Sequence, residues 1–141
     1  MTRIFFFHGA ADRLQLAAEW LGSIYLARQQ ATVFAPQRDV ADRLDRLLWL
    51  QPATGFLPHC RADSPLATET PILIAERLDS LAQNQRLLNL SDEVPAEFAR
   101  FEELVEIVST DASDKIPARD RYRFYRERGY ELHNRDVSGG I

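Results

Sequence analysis

Five short apolar runs, each followed by helical or polar chain, constrain this sequence more than any other feature. They are Arg3–His8 (RIFFFH), Ala31–Ala35 (ATVFA), Pro71–Ala75 (PILIA), Arg86–Leu90 (RLLNL) and Leu104–Ser109 (LVEIVS). Runs of this length bounded by turn residues read as strands buried on both faces. Between the first two, Asp12–Arg28 carries Leu14, Leu16, Ala17, Trp20, Leu21, Ile24 and Tyr25 near helical spacing. A second helix is predicted over Asp39–Leu50, with Val40, Leu44, Leu47 and Leu48 inward, and a short one over Pro95–Phe101. A basic helix follows the fifth strand. Strands alternating with helices predict a single-domain α/β protein, a three-layer α/β/α sandwich with a mainly parallel, roughly five-stranded sheet. The domain is assigned to residues 1–132, within the 141 of the chain. Gln51–Thr70 reads as irregular and polar, and the polar tail, residues 133–141, is expected to fray.

Charge is distributed unevenly. The chain has a formal net charge of −4. From Lys115 to Arg128 it carries six basic residues against Asp120 and Glu127, a local balance of +4 that leaves −8 for the remainder. Lys115, Arg119, Tyr122, Arg123 and Arg126 recur at helical spacing and share one face. Two readings of that stripe stand side by side. Charge runs are commonly solvated faces whose arginines meet surface acids. A local positive face on an acidic protein is equally a docking site for a small anionic group. The overall acidity argues against general nucleic-acid binding, which phosphate contacts would dominate, so no direct DNA binding is expected. Pro117 is read as lying in the first turn, where proline is tolerated, and this leaves open whether Lys115 is helical. Phe124 is bulkier than an exposed position calls for.

Catalytic signals are weak. His8-Gly9-Ala10-Ala11-Asp12 follows the first strand, where a phosphate loop sits in nucleotide-binding folds. It has one glycine and neither GxGxxG nor GxxxxGK[ST]. His59-Cys60 has no accompanying oxyanion-hole signature, and three scattered histidines with a single cysteine match no metal spacing. No catalytic residue, metal or cofactor is expected. A lone cysteine and the absence of a signal-like or membrane-length apolar run suggest a cytoplasmic protein.

Two blocks carry a resemblance. Leu44-Asp45-Arg46-Leu47-Leu48-Trp49 followed by Pro52, Phe56, Pro58 and His59 is one; Ala118-Arg119-Asp120-Arg121-Tyr122-Arg123-Phe124-Tyr125-Arg126 with Gly129-Tyr130 is the other. Together they resemble the chi subunit family of bacterial DNA polymerase III, over nearly the whole chain to about Leu132. The resemblance implies a Rossmann-like sandwich without nucleotide chemistry. It implies a non-catalytic accessory subunit of the clamp-loader assembly, tethered through the psi subunit, that also binds the acidic C-terminal tail of single-stranded-DNA-binding protein at the replication fork. It implies tail binding by Lys115, Arg119, Tyr122, Arg123 and Val108, and psi binding by Trp49, Phe56, Pro58 and His59. The family often has lysine where this chain has Arg123, so charge is kept but forked donors are gained.

The residues themselves are compatible with those roles. Arginine grips a carboxylate through parallel hydrogen bonds. Val108 and the Tyr122 ring offer an apolar floor for a terminal side chain. Trp49 follows Leu47-Leu48 and is either core, the commoner fate of tryptophan in such a run, or an interface anchor. A small nucleotide-dependent enzyme on a similar scaffold is the alternative from a different class.

Overall fold

The computed structural model describes residues 1–50, 57–79 and 84–141. Its strands are β1 (Arg3–Ala10), β2 (Ala31–Phe34), β3 (His59–Arg61), β4 (Ile72–Ala75), β5 (Arg86–Asn89), β6 (Glu103–Ser109) and β7 (Leu132–Asp136). Its helices are α1 (Arg13–Leu26), α2 (Arg38–Trp49) and α3 (Ala112–Glu127). Among the described residues all the strand pairings are parallel, in one sheet ordered β3-β4-β2-β5-β6-β1-β7. The α/β sandwich is therefore as predicted, with seven strands rather than five.

The two extra strands are the edges. β3 has three residues inside the stretch read as irregular, too few for a periodic signal. β7 begins at Leu132, and its exposed His133, Asn134, Arg135 and Asp136 lie in the part read as a fraying tail. It is held because Ile4, Phe5, Phe6, Phe7 and His8 of β1 pair with it residue for residue. Pairing with a buried neighbour supplies the stability that an apolar pattern supplies in the centre. Pro95–Phe101, expected as a short helix, contributes a single 3₁₀ turn at Phe98–Arg100.

Strand alternation divides the core. Phe7, Val33, Leu88, Val105 and Ile107 pack with α1 and α2 on one face. Ile4, Phe6, Leu87, Leu104 and Val108 pack with Ala118 and Tyr125 of α3 on the other. Asp12 starts α1 by accepting a hydrogen bond from the Gln15 amide at 3.0 Å, and Asp111 starts α3 by accepting one from Ser113 at 2.8 Å. The fully buried Leu21, Leu44, Leu48, Leu87 and Leu88 each contribute about 1.5–3 kcal/mol of burial.

The α3 face holds one polar cluster. Glu106 is 0% exposed, in mid-β6. Its Oε1 accepts from Arg121 Nε at 3.1 Å and its Oε2 from the Tyr125 hydroxyl at 2.7 Å. Asn89 Nδ2 donates to both oxygens, at 3.3 and 3.1 Å. Burial pushes the Tyr125 hydroxyl pKa far up, so it remains a donor. Arg121 also donates to the Asp92 carbonyl at 3.2 Å. One of the six cations of the basic segment is thus a core residue, 3% exposed, and α3 presents less charge to solvent than its sequence suggests.

The chain leaves β1 for α1 on one face and leaves β6 for α3 on the other. β1 and β6 are neighbours, so a crevice opens between their carboxyl ends, where open parallel sheets hold their ligands. Gly9 shapes that end of β1. It takes φ +81°, and the β1–β6 register shifts between His8 and Ala10. A Cβ at Gly9 would lie 3.0 Å from Asp136 Oδ1, so a side chain there meets both strain and contact. β1 therefore continues to Ala10 through a bulge, past the break expected at His8-Gly9-Ala10.

Candidate functional site

A cleft of about 350 Å³ occupies that crevice on the α3 side. Val108 and Ser109 line it from the end of β6, and Lys115, Arg119 and Tyr122 reach it from α3. Four of the five residues expected to bind an acidic tail therefore line one cavity. Lys115 and Arg119 are exposed cations at its rim. Val108, Ala118, Phe6 and the Tyr122 ring, edge-on to Phe6 at 5.0 Å between centroids, make its apolar floor.

Arg123 does not line the cleft. It lies on the exposed side of α3, 3.9 Å from Asp120, in the kind of surface pair that contributes little. Lys115 is helical, since α3 starts at Ala112. Pro117 consequently lies inside the helix rather than in its first turn. There it removes the hydrogen bond to the Ser113 carbonyl, a position that costs about 3 kcal/mol in an ordinary helix interior. Phe124 packs edge-on to Phe98 and Tyr125, with the Arg128 guanidinium 3.6 Å above its ring. Its bulk belongs to an aromatic cluster under the helix and not to the cleft.

His8, Gly9, Ser109, Thr110 and Asn134 also line the cavity, and none of them is among the residues expected to bind an acidic tail. Asn134 Nδ2 donates to the Tyr122 hydroxyl at 3.1 Å and fixes that ring. The signal for His8 was strand alternation, since Ile4 and Phe6 face α3 and the next residue of that set is His8. Asn134 lies on a strand with no apolar pattern, so no local signal marks it.

The second expected surface is remote. Trp49 ends α2 and is 57% exposed, and Leu50 beside it is 75% exposed, so this tryptophan is no core residue. Its ring meets His59 edge-on at 5.7 Å between centroids. His59 is anchored in turn, with Nδ1 2.6 Å from the Leu57 carbonyl and Nε2 against Asp45 of α2. Pro58, half-buried, lies between them in the chain. Phe56 is outside the described residues. Trp49 and His59 thus come together at the β3 end. Five strand spacings separate β3 from β1, roughly 24 Å at about 4.8 Å each.

Fold and site define a parallel α/β protein of the nucleotide-binding architecture whose strand-end crevice is cationic and apolar, with Gly9 as its one lining glycine rather than a glycine-rich loop. At the same strand ends, Arg13 donates to the carbonyls of Ile107, Asn89 and Ser91 at 2.9–3.2 Å. The family model described as DNA polymerase III chi subunit, HolC, matches residues 1–133. The chain belongs to that family. It is 34% identical to DNA polymerase III subunit chi of Pseudomonas aeruginosa, over 95% of this chain and 96% of the relative. It is 31% identical to the Escherichia coli subunit of the same name, over 84% and 82% of the two chains.

Proposed function

We propose that this chain is a non-catalytic accessory subunit of bacterial DNA polymerase III. In this reading it bridges the psi subunit of the clamp-loader assembly to the acidic C-terminal tail of single-stranded-DNA-binding protein. Membership of the chi family supports a place in the polymerase complex. The observation that carries the tail assignment is the cleft, where exposed Lys115 and Arg119 stand over a floor of Phe6, Val108 and Tyr122. A peptide ending in acidic residues, an apolar side chain and a free carboxylate needs that combination of cations and apolar floor. The exposed Trp49 and Leu50 beside His59 supply an aromatic anchor for psi.

Arg119→Ala is expected to weaken tail-peptide binding by about 1.5–3 kcal/mol, the worth of a charge-assisted hydrogen bond. Arg119 is exposed, so circular dichroism of the variant should match the parent. Calorimetry with the peptide checks this, and unchanged affinity would remove Arg119 from the site. Binding should also weaken as salt rises, because exposed charges are screened.

The bridge makes a separate demand. Surfaces roughly 24 Å apart on different elements should act independently. A ternary complex of this chain, psi and the tail peptide is therefore expected, each pairwise affinity changing by less than about twofold. Displacement of the peptide by psi in an anisotropy titration would show overlapping sites and end the bridging model.

A further inference from the structure

The cleft contains a titratable group that the tail-binding reading leaves without a role. His8 is exposed, follows Ile4 and Phe6 in the set facing α3, and lines the cavity with Lys115 and Arg119. Its cross-strand partners are Val108 on β6 and Asp136 on β7, and in a parallel sheet such partners point to the same face. The other two histidines of the chain are elsewhere. His59 is at the far edge of the sheet, and His133 stacks on Phe5 at 4.9 Å on the α1 face.

We infer that His8 is a further binding residue of this cleft, a cation available only when protonated, which adds to Lys115 and Arg119 in holding the carboxylates of an acidic peptide. The inference rests on the tail-binding reading and deepens it by making affinity depend on pH. Histidine is the side chain whose charge ordinarily changes between pH 5 and 8. Lysine and arginine side chains ordinarily titrate well above that range. The groups facing His8 are Lys115, Arg119 and the Tyr122 hydroxyl from α3, Asp136 from β7, and uncharged Val108 and Ser109 from β6. Asp136 is ionised across the same range, because a hydrogen bond from the Ser138 amide at 2.8 Å holds its carboxyl below the usual carboxylate value. Its negative charge, on the strand beside His8, opposes the peptide. The incoming peptide, with several carboxylates, outweighs that one charge, and its binding takes up a proton.

The test is fluorescence anisotropy on the full chain. The probe is a labelled peptide of acidic residues ending in an aromatic side chain and a free carboxylate, titrated at fixed ionic strength from pH 8.5 to 6.0. Peptide carboxylates remain ionised over that span, so they do not contribute the change. The parent should bind about two- to fivefold more tightly at pH 6.0, the scale of one exposed charge contact. His8→Gln should lose that dependence. His8→Arg should bind tightly at both ends of the range. Peptide binding whose pH dependence survives in His8→Gln would overturn the assignment of His8 alone. Failure of the parent to bind at any pH would overturn the tail-binding reading and this inference with it.

Discussion

Arg121→Ala is expected to destabilise the chain by about 3–5 kcal/mol, although Arg121 stands among residues that look like a solvated basic face. The substitution leaves Glu106, wholly buried in β6, without its ion-pair partner and also removes a donor from the Asp92 carbonyl. An uncompensated buried charge is among the few mechanisms that give effects this large. Domains of this size hold roughly 5–15 kcal/mol in all, so the variant should sit near its unfolding threshold. Replacing both partners, Glu106→Gln with Arg121→Met, should recover much of the loss, because a neutral isostere at 106 and an apolar side chain at 121 leave no buried charge uncompensated. Urea denaturation of the three proteins checks both statements. A midpoint for Arg121→Ala close to the parent's would mean that the pair under α3 is of no structural consequence.

Trp49→Ala should remove most psi binding, a loss of about 2–4 kcal/mol for a central aromatic anchor, and leave stability nearly unchanged. The two expectations separate because Trp49 is 57% exposed, while Leu44 and Leu48 on the same helix are wholly buried and carry its packing. Co-purification with psi reads the first, and thermal unfolding reads the second. A variant that still retains psi would leave the exposed Trp49–Leu50 corner without a function. Tail-peptide affinity, measured on the same preparation, should not move.

The central strands and the three helices were legible because burial on two faces forces continuous apolar runs, as in Ile72–Ala75, and burial on one face forces helical spacing, as in Asp12–Arg28. The edges were not. β3 is too short to show a period, and β7 is polar because its pairing with β1, rather than an apolar pattern, fixes it. Lys115, Arg119 and Tyr122 could be placed together from helix geometry alone. Arg121 adds to the charge of the segment but falls off the face that Lys115 and Arg119 share, which charge balance along a chain does not distinguish. Ala118, Arg121 and Tyr125 share the inward face, and Glu106 is the lone acid in LVEIVS, so a matched pair was present in the two segments. The cleft residues contributed by β1 and β7 depended on which strands neighbour β6, and strand order is not local information.

The two borders of the sheet have a consequence for life in a crowded assembly. A bare strand edge invites any other extended chain to add itself, and polymerised sheets begin that way. One border here is three residues long, and the other displays His133, Asn134, Arg135 and Asp136 to solvent. Neither offers the long, flat, greasy template that an unfolded neighbour could copy. Among the described residues, both borders are therefore poor templates for a further strand, and the open backbone is guarded by shortness on one side and by polar side chains on the other.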